Sequence, residues 1–200
     1  MQGEGKGCGK LSCGKFLFLV IICVAAISAI VTAPKGAVSM MVAKAMGDMA
    51  GAEALKISEP KPLPAMVFID ENGKKQSIES YKGKVVALNF WALWCASCKV
   101  EKPKLDQLQA DLAEKGLVVL TVSDGFNNQG AVKQYFANHN ITHLKPMTDE
   151  GSAAFRALQL QGVPSTLIIN KKGQEIARAQ GYVDWSVPYA RQVIEKALGE

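Results

Sequence analysis

An α/β sandwich on a mixed β-sheet, preceded by a membrane-spanning helix, is the architecture this 200-residue sequence predicts. Three observations carry that expectation. The segments "KVVALNFW" and "LVVLTVS" are near-continuous apolar runs, as strands buried on both faces should be. Helical patterns alternate with these strands, and a last hairpin precedes the closing helix, which is the signature of layered α/β packing. Ahead of all this, Phe16 to Ala33 forms an uncharged apolar run of eighteen residues.

That run reaches the length of roughly 18 apolar residues at which a helix begins to span a bilayer. A cleaved signal normally has a shorter apolar core, about 7–15 residues. Val31 and Ala33 resemble cleavage-site residues, but Pro34 follows at once and should hinder a peptidase. The reading is an uncleaved signal anchor over 16–33, with a cleaved signal as the alternative. Lys6, Lys10 and Lys15 precede the run against a single Glu4, which leaves residues 1–15 as a cytoplasmic tail and exports the rest. The formal net charge is +5, yet no Lys/Arg cluster is interleaved with aromatics, so a nucleic acid is not an expected partner. The mild basicity reads as solvated surface.

Residues 34–64 precede the domain. Val38, Met41, Val42, Ala45, Met49 and Ala52 follow helical spacing within 36–55, as an amphipathic helix or a copper-binding methionine stripe would. Closely spaced prolines make "SEPKPLP", Ser58 to Pro64, a stiff linker. From Ala65 to the C-terminus the pattern is that of a folded domain. "MVFID" and "KQSIE" flank an Asn72-Gly73 turn and predict a hairpin. After "KVVALNFW" comes a helix from about Cys95 to Lys115, with Leu105, Leu108 and Leu112 as its apolar stripe and Gly116 as its stop. "DGFNNQ" is a loop after "LVVLTVS", and a second helix covers Gly130 to His139. "THLKPM" reads as a short edge strand because Pro146 cannot donate to a ladder. A helix over Ser152 to Leu160, a hairpin of "STLIIN" and "EIARAQ", and a helix over Val187 to Leu198 complete the chain.

Five cysteines divide unevenly: Cys8 and Cys13 precede the apolar run, Cys23 lies within it, and only Cys95 and Cys98 belong to the exported domain. "GKLSCGKF" nearly spells a phosphate-binding loop, but Phe16 stands where Ser or Thr must hold Mg²⁺ and no strand precedes it. Cys8 and Cys13 read as plain thiols, since two ligands do not make a tetrahedral metal site. Cys95 and Cys98 stand where a buried strand becomes a helix, on one helical face and within reach of a disulfide. The positive end of the helix favours a thiolate, which makes Cys95 the attacking nucleophile. Cys98, one turn deeper, is placed to attack the mixed disulfide and release product. Beside this pair the exported domain offers a metal only His139 and His143, which flank a helix end and loop and read as surface residues, and a disulfide across three residues constrains the unfolded chain little. The dithiol is itself the redox group, so neither a cofactor nor a metal is expected.

The stretch "NFWALWCASCKVEKP", with "GVPSTLIINKKGQEI" downstream, resembles the thioredoxin-like proteins and, within them, the membrane-anchored TlpA/ResA group. The likeness runs from about Pro62 to the C-terminus and implies a thioredoxin-like sandwich. It implies a cis proline at Pro164, packed against the disulfide, with the Val163 backbone and Trp94 facing the substrate. It further implies that Asn89 replaces the buried acid that many thioredoxins keep beneath the resolving cysteine. Glu101, on the helical face of Cys98, matches a glutamate linked to active-site proton chemistry and is the candidate base. The competing reading is a solvated helix glutamate. Pro103 removes one helical hydrogen bond, so a kink near Lys99 is expected.

Ala96-Ser97 lacks the histidine of strongly oxidising DsbA-like spacers, which favours a lower potential. The resemblance implies a reductant in the bacterial periplasm, tethered to the inner membrane. Its expected partners are disulfide-containing proteins such as apocytochrome c or copper-site assembly proteins, with a CcdA/DsbD-type membrane electron donor. Two other classes remain open: a peroxiredoxin-like peroxidase and a Sco-like copper-binding chaperone. The first should show an isolated peroxidatic cysteine, the second a wider cysteine spacing and a distal histidine.

Overall fold

The computed structural model describes residues 51–124 and 129–200. The apolar run from Phe16 to Ala33, Cys8, Cys13, Cys23 and most of the methionine-rich segment lie outside the described residues. None of the described helices is long and apolar enough to cross a membrane.

The strands are β1 (Leu55–Pro62), β2 (Val67–Asp70), β3 (Lys75–Ser77), β4 (Val85–Trp91), β5 (Leu117–Asp124), β6 (Lys145–Asp149), β7 (Ser165–Ile169) and β8 (Gln174–Gln180). They form one sheet in the order β1-β8-β7-β4-β5-β6-β2-β3. Strands β4, β5 and β6 are parallel, and the remaining pairs are antiparallel, so the sheet is mixed as expected. The helices are α1 (Ala96–Leu112), α2 (Gln129–Asn138), α3 (Ala153–Ala157) and α4 (Pro188–Gly199).

All seven residues of β4 are buried, because it is central and covered on both faces. Side-chain alternation then sorts its residues. Val85, Ala87 and Trp91 enter one apolar cluster with Leu105, Leu108 and Leu112 of α1 and Ala190, Ile194 and Ala197 of α4. Val86, Leu88 and Phe90 enter the other, with Phe68, Leu167 and Ala154 of α3. Asn89 shares the parity of Ala87 and Trp91, which turns a polar side chain toward α1.

Both predicted hairpins form, and both use one device. Asp70 Oδ1 accepts the amides of Asn72 and Lys74, each at 2.9 Å, and Gly73 adopts φ 78°. Asn170 Oδ1 accepts the amides of Lys172 and Gln174, each at 3.0 Å, and Gly173 adopts φ 80°. An Asx side chain that satisfies the turn amides, followed three residues later by a glycine at positive φ, closes each turn.

Four expectations require correction. Strand β6 is not an edge: it pairs with β5 on one side and β2 on the other. Pro146 is tolerated because β2 pairs only with Met147 and Thr148, beyond the proline. The Ser58–Pro64 segment is extended but is not a free linker, since β1 runs to Pro62 and pairs with β8. Its register shifts between Ile57 and Lys61, so the irregularity takes up Pro60 on an edge strand. Helix α1 ends at Leu112 instead of Lys115, and Gly116 at φ 101° closes the turn that follows. Helix α3 spans Ala153–Ala157, where Ser152 to Leu160 was expected, because Ser152 lies at positive φ and Leu158 caps its end.

Candidate active site

The β4–α1 junction builds the centre of the site. The Cys95 amide donates to the Ala92 carbonyl at 3.1 Å, a tight turn that brings the chain into α1. Cys95 is the N-cap, with extended backbone at φ −86° and ψ 108°. Cys95 and Cys98 are joined by a disulfide with a Cα–Cα distance of 5.3 Å. The Cys98 amide donates to Cys95 Sγ at 3.2 Å, so the sulfur takes the place of a capping oxygen. The Ser97 hydroxyl lies 3.5 Å from the same sulfur. Cys95 is 5% exposed and Cys98 is 0%. An oriented amide, a helix N-terminus and the greater access all favour Cys95 as the thiolate that meets a partner.

The loop before β7 supplies the opposing wall. The Val163–Pro164 bond is cis, as the thioredoxin-like resemblance implies. Cys95 Sγ lies 3.7 Å from the Val163 carbonyl oxygen, which brings together residues 68 positions apart. The Ser165 hydroxyl donates to the Gly162 carbonyl at 2.7 Å, and the Gly181 amide to the Pro164 carbonyl at 2.9 Å. Trp94, next to Cys95 in the chain, is 73% exposed. Val100, on the first turns of α1, is also exposed. The structure thus sets the Cys95–Cys98 disulfide beside the Val163–Pro164 bond, with exposed Trp94 next to Cys95 in the chain.

Glu101 is not a solvated helix glutamate: it is completely buried. Its Oε1 accepts the Val183 amide at 2.6 Å, and its Oε2 accepts from Asn89 Nδ2 at 3.4 Å. Asn89 also donates to Thr166 Oγ1 at 2.8 Å. Burial raises the Glu101 carboxyl to about 7, opposed by the Val183 hydrogen bond and by the charge of Lys102.

Lys102 was not singled out from the sequence. Its ammonium is buried, donates to Asn89 Oδ1 and lies 4.5 Å from the centre of the Trp91 ring. Burial lowers its amine to about 7, and the Glu101 charge pulls it back up. The signal was present in the stripe of Leu105, Leu108 and Leu112. Continued toward the N-terminus at spacings of three and four, that stripe passes through Lys102, Glu101 and Cys98. Residue type had argued for a charged, solvated face, and tertiary position prevailed.

Pro103 leaves the Lys99 carbonyl without a helical donor, and the Tyr135 hydroxyl of α2 donates to it at 3.4 Å. Tyr135 and Phe136 also pack on Trp91, at centroid distances of 5.5 and 5.8 Å. His139 stacks on Tyr135, while His143 pairs with Asp106 at 3.0 Å. Neither histidine joins the cysteine pair in these contacts.

A redox disulfide capping a helix and facing the residue before a cis proline, on this mixed sheet, defines a thioredoxin-like thiol–disulfide oxidoreductase. The chain belongs to the Redoxin family, whose model matches residues 58–194. It is 30% identical over 130 residues to the thiol-disulfide oxidoreductase ResA of Bacillus anthracis, covering 65% of this chain and 74% of that protein. It is 33% identical over 125 residues to the thiol:disulfide interchange protein DsbE of Pseudomonas fluorescens biotype C, covering 62% and 67%. Among solved structures, a thiol:disulfide interchange protein of the thioredoxin family from Chlorobium tepidum TLS superposes with a TM-score of 0.60. Identity there is 25%, over 72% of this chain and all of that one.

Proposed function

We propose that this chain is a membrane-tethered reductant of partner-protein disulfides, acting in the periplasm of a bacterial cell. The observation that carries the chemistry is Cys95 Sγ at the helix N-cap, accepting the Cys98 amide beside the Val163 carbonyl. The reduced Cys95 attacks a partner disulfide, and one partner sulfur leaves with a proton. Cys98 then loses its proton and attacks Cys95, so the internal disulfide forms and the second partner thiol is freed. The protein is oxidised by two electrons and the partner reduced by two.

Tethering is supported by the run from Phe16 to Ala33 and the lysines before it. The names of the ResA and DsbE relatives support work on protein disulfides. The TlpA/ResA resemblance, with the absence of a histidine in Ala96-Ser97, favours those of apocytochrome c or copper-site assembly proteins. A CcdA/DsbD-type membrane protein would return the electrons. Glu101, one helical turn beyond Cys98 and buried, is the proposed proton acceptor.

A Cys98→Ala variant, expressed in cells and recovered from membranes after acid quenching, tests the reading. It should hold periplasmic proteins in mixed disulfides through Cys95 that dithiothreitol releases. Recovery of the variant free of any partner, with wild-type levels of membrane association, would remove the reductant role. Recovery in a soluble fraction with a start near Pro34 would remove the tether.

A further inference from the structure

The most unusual group in the site is a lysine with no access to solvent. Lys102 is 0% exposed, and its amine reaches only interior groups in the contacts seen: Asn89 Oδ1 and the face of Trp91. Asn89 is also 0% exposed, and its amide is spent in both directions. Its oxygen accepts from Lys102, while its nitrogen donates to Glu101 Oε2 and Thr166 Oγ1. An amide bonded in this way has one orientation, because exchanging its oxygen and nitrogen would aim a donor at an ammonium. The lysine therefore fixes which end of Asn89 faces Glu101.

A buried cation also needs a buried counter-charge, and a lone one is strongly disfavoured. The charged and titratable groups around Glu101 are few. Helix α1 offers Lys102, Lys104 and the Cys98 thiol of the reduced form; Lys104 is engaged by Tyr182 Oη at 2.8 Å and by Asp184. Strand β4 offers Asn89 and Trp91, strand β7 offers Thr166, and the segment after β8 offers the Val183 amide with Asp184. Of these, Lys102 is the positive charge wholly inside the protein.

We propose that Lys102 is a positioning residue for disulfide exchange: it orients Asn89 toward Glu101 and favours the ionised form of Glu101 over the protonated one, so that a carboxylate is available for the Cys98 proton near neutral pH. The inference rests on the exchange reaction above and on Glu101 as the acceptor. In the resolving step Cys98 S–H gives its proton to the Glu101 carboxylate, and the thiolate attacks Cys95 Sγ. The Cys95–Cys98 bond forms, the Cys95–partner bond breaks, and the partner thiolate takes its proton from water. Lys102 bonds to none of the reacting atoms. Its contribution is the charge and the amide geometry behind them.

The test compares wild type, Lys102→Met, Lys102→Gln and Glu101→Gln as full chains in detergent, using a small-peptide mixed disulfide on Cys95. Stopped-flow traces follow resolution by Cys98 from pH 5 to 9. An opposite charge nearby typically lowers a carboxyl pKa by about 1–3 units, so removing it should shift the resolution profile to higher pH by at least about one unit. At pH 7 the rate should fall about fivefold or more. Formation of the mixed disulfide should stay within about twofold of wild type, since it precedes the proton transfer. Lys102→Gln keeps a donor for Asn89 without the charge, so it tests the charge where the methionine variant does not fold. Adding Lys102→Met to Glu101→Gln should bring no further loss, because the two act on one proton. Lower stability with an unmoved pH profile would make Lys102 a structural residue and overturn the proposal. A wild type that forms no mixed disulfide at all would instead defeat the exchange reading, and the proposal with it.

Discussion

Glu101 Oε1 accepts the backbone amide of Val183 at 2.6 Å, so the carboxylate beside the dithiol also ties α1 to the segment leaving β8. Two substitutions separate those roles. Glu101→Gln keeps an oxygen for Val183 and removes the base, so resolution of the mixed disulfide should slow by about 10²–10⁴-fold with little effect on its formation. Glu101→Ala also strands a buried amide, which should cost about 1–3 kcal/mol in urea unfolding. Wild-type resolution in Glu101→Gln across pH 6 to 9 would reduce Glu101 to an anchor for Val183.

Burial acts on Glu101 and Lys102 in opposite directions, and the two effects predict an unusual stability profile. The folded protein keeps the Glu101 proton up to about 7, whereas the unfolded chain releases it near 4.5. Between those values the folded state binds more protons, so this group's contribution falls as pH rises. Lys102 is reversed: its folded amine loses its proton near 7, against 10.5 when unfolded. Above about 7 the unfolded state binds more protons, and the contribution rises with pH. The difference in urea midpoint between wild type and the Glu101→Gln/Lys102→Met variant should therefore be least favourable to wild type near pH 7. A flat difference, or a maximum there, would contradict the burial account.

Much of this site was legible in the sequence, for reasons that can be named. Cys95 and Cys98 are short-range: strand, turn and helix follow one another, and spacing alone puts both sulfurs at the helix start. The two hairpin turns were legible because Asp70 and Asn170 act within four residues of themselves. Pro164 needed the family resemblance, since nothing local brings residue 163 to Cys95. Lys102 was missed because its burial comes from the depth at which α1 packs on β4, which residue type argues against. Strand β6 departs from the edge expectation because Pro146 bars pairing only at its own position, and β2 pairs beyond it with Met147 and Thr148.

The tie between α1 and α2 through Tyr135 and Lys99 makes a coupled prediction. Tyr135→Phe removes the hydroxyl that serves the carbonyl left open by Pro103. The loss should be about 0.5–1.5 kcal/mol, the usual net value of such a bond. Pro103→Ala returns a helical donor to Lys99, so the same tyrosine substitution should cost less in that background. Equal costs in the two backgrounds would show that Tyr135 acts by packing on Trp91 alone.

Phe136 stacks on Trp91 within the larger apolar cluster, 5.8 Å between ring centroids. Phe136→Ala should open a cavity beneath the β4–α1 turn and destabilise the domain by about 3–5 kcal/mol in chemical denaturation. A loss below about 1 kcal/mol would mean that the ring is poorly packed and the turn supported elsewhere.

The central claim is that Cys95, capping α1, is the thiolate that meets the partner, while buried Cys98 resolves. Its most direct measurement is timed alkylation of the fully reduced protein with iodoacetamide at pH 7, with the labelled peptides resolved by mass spectrometry. The account predicts that Cys95 is modified at least about tenfold faster than Cys98, as its place at the helix N-cap and its greater access require. Faster labelling of Cys98, or equal rates for the two, would contradict it.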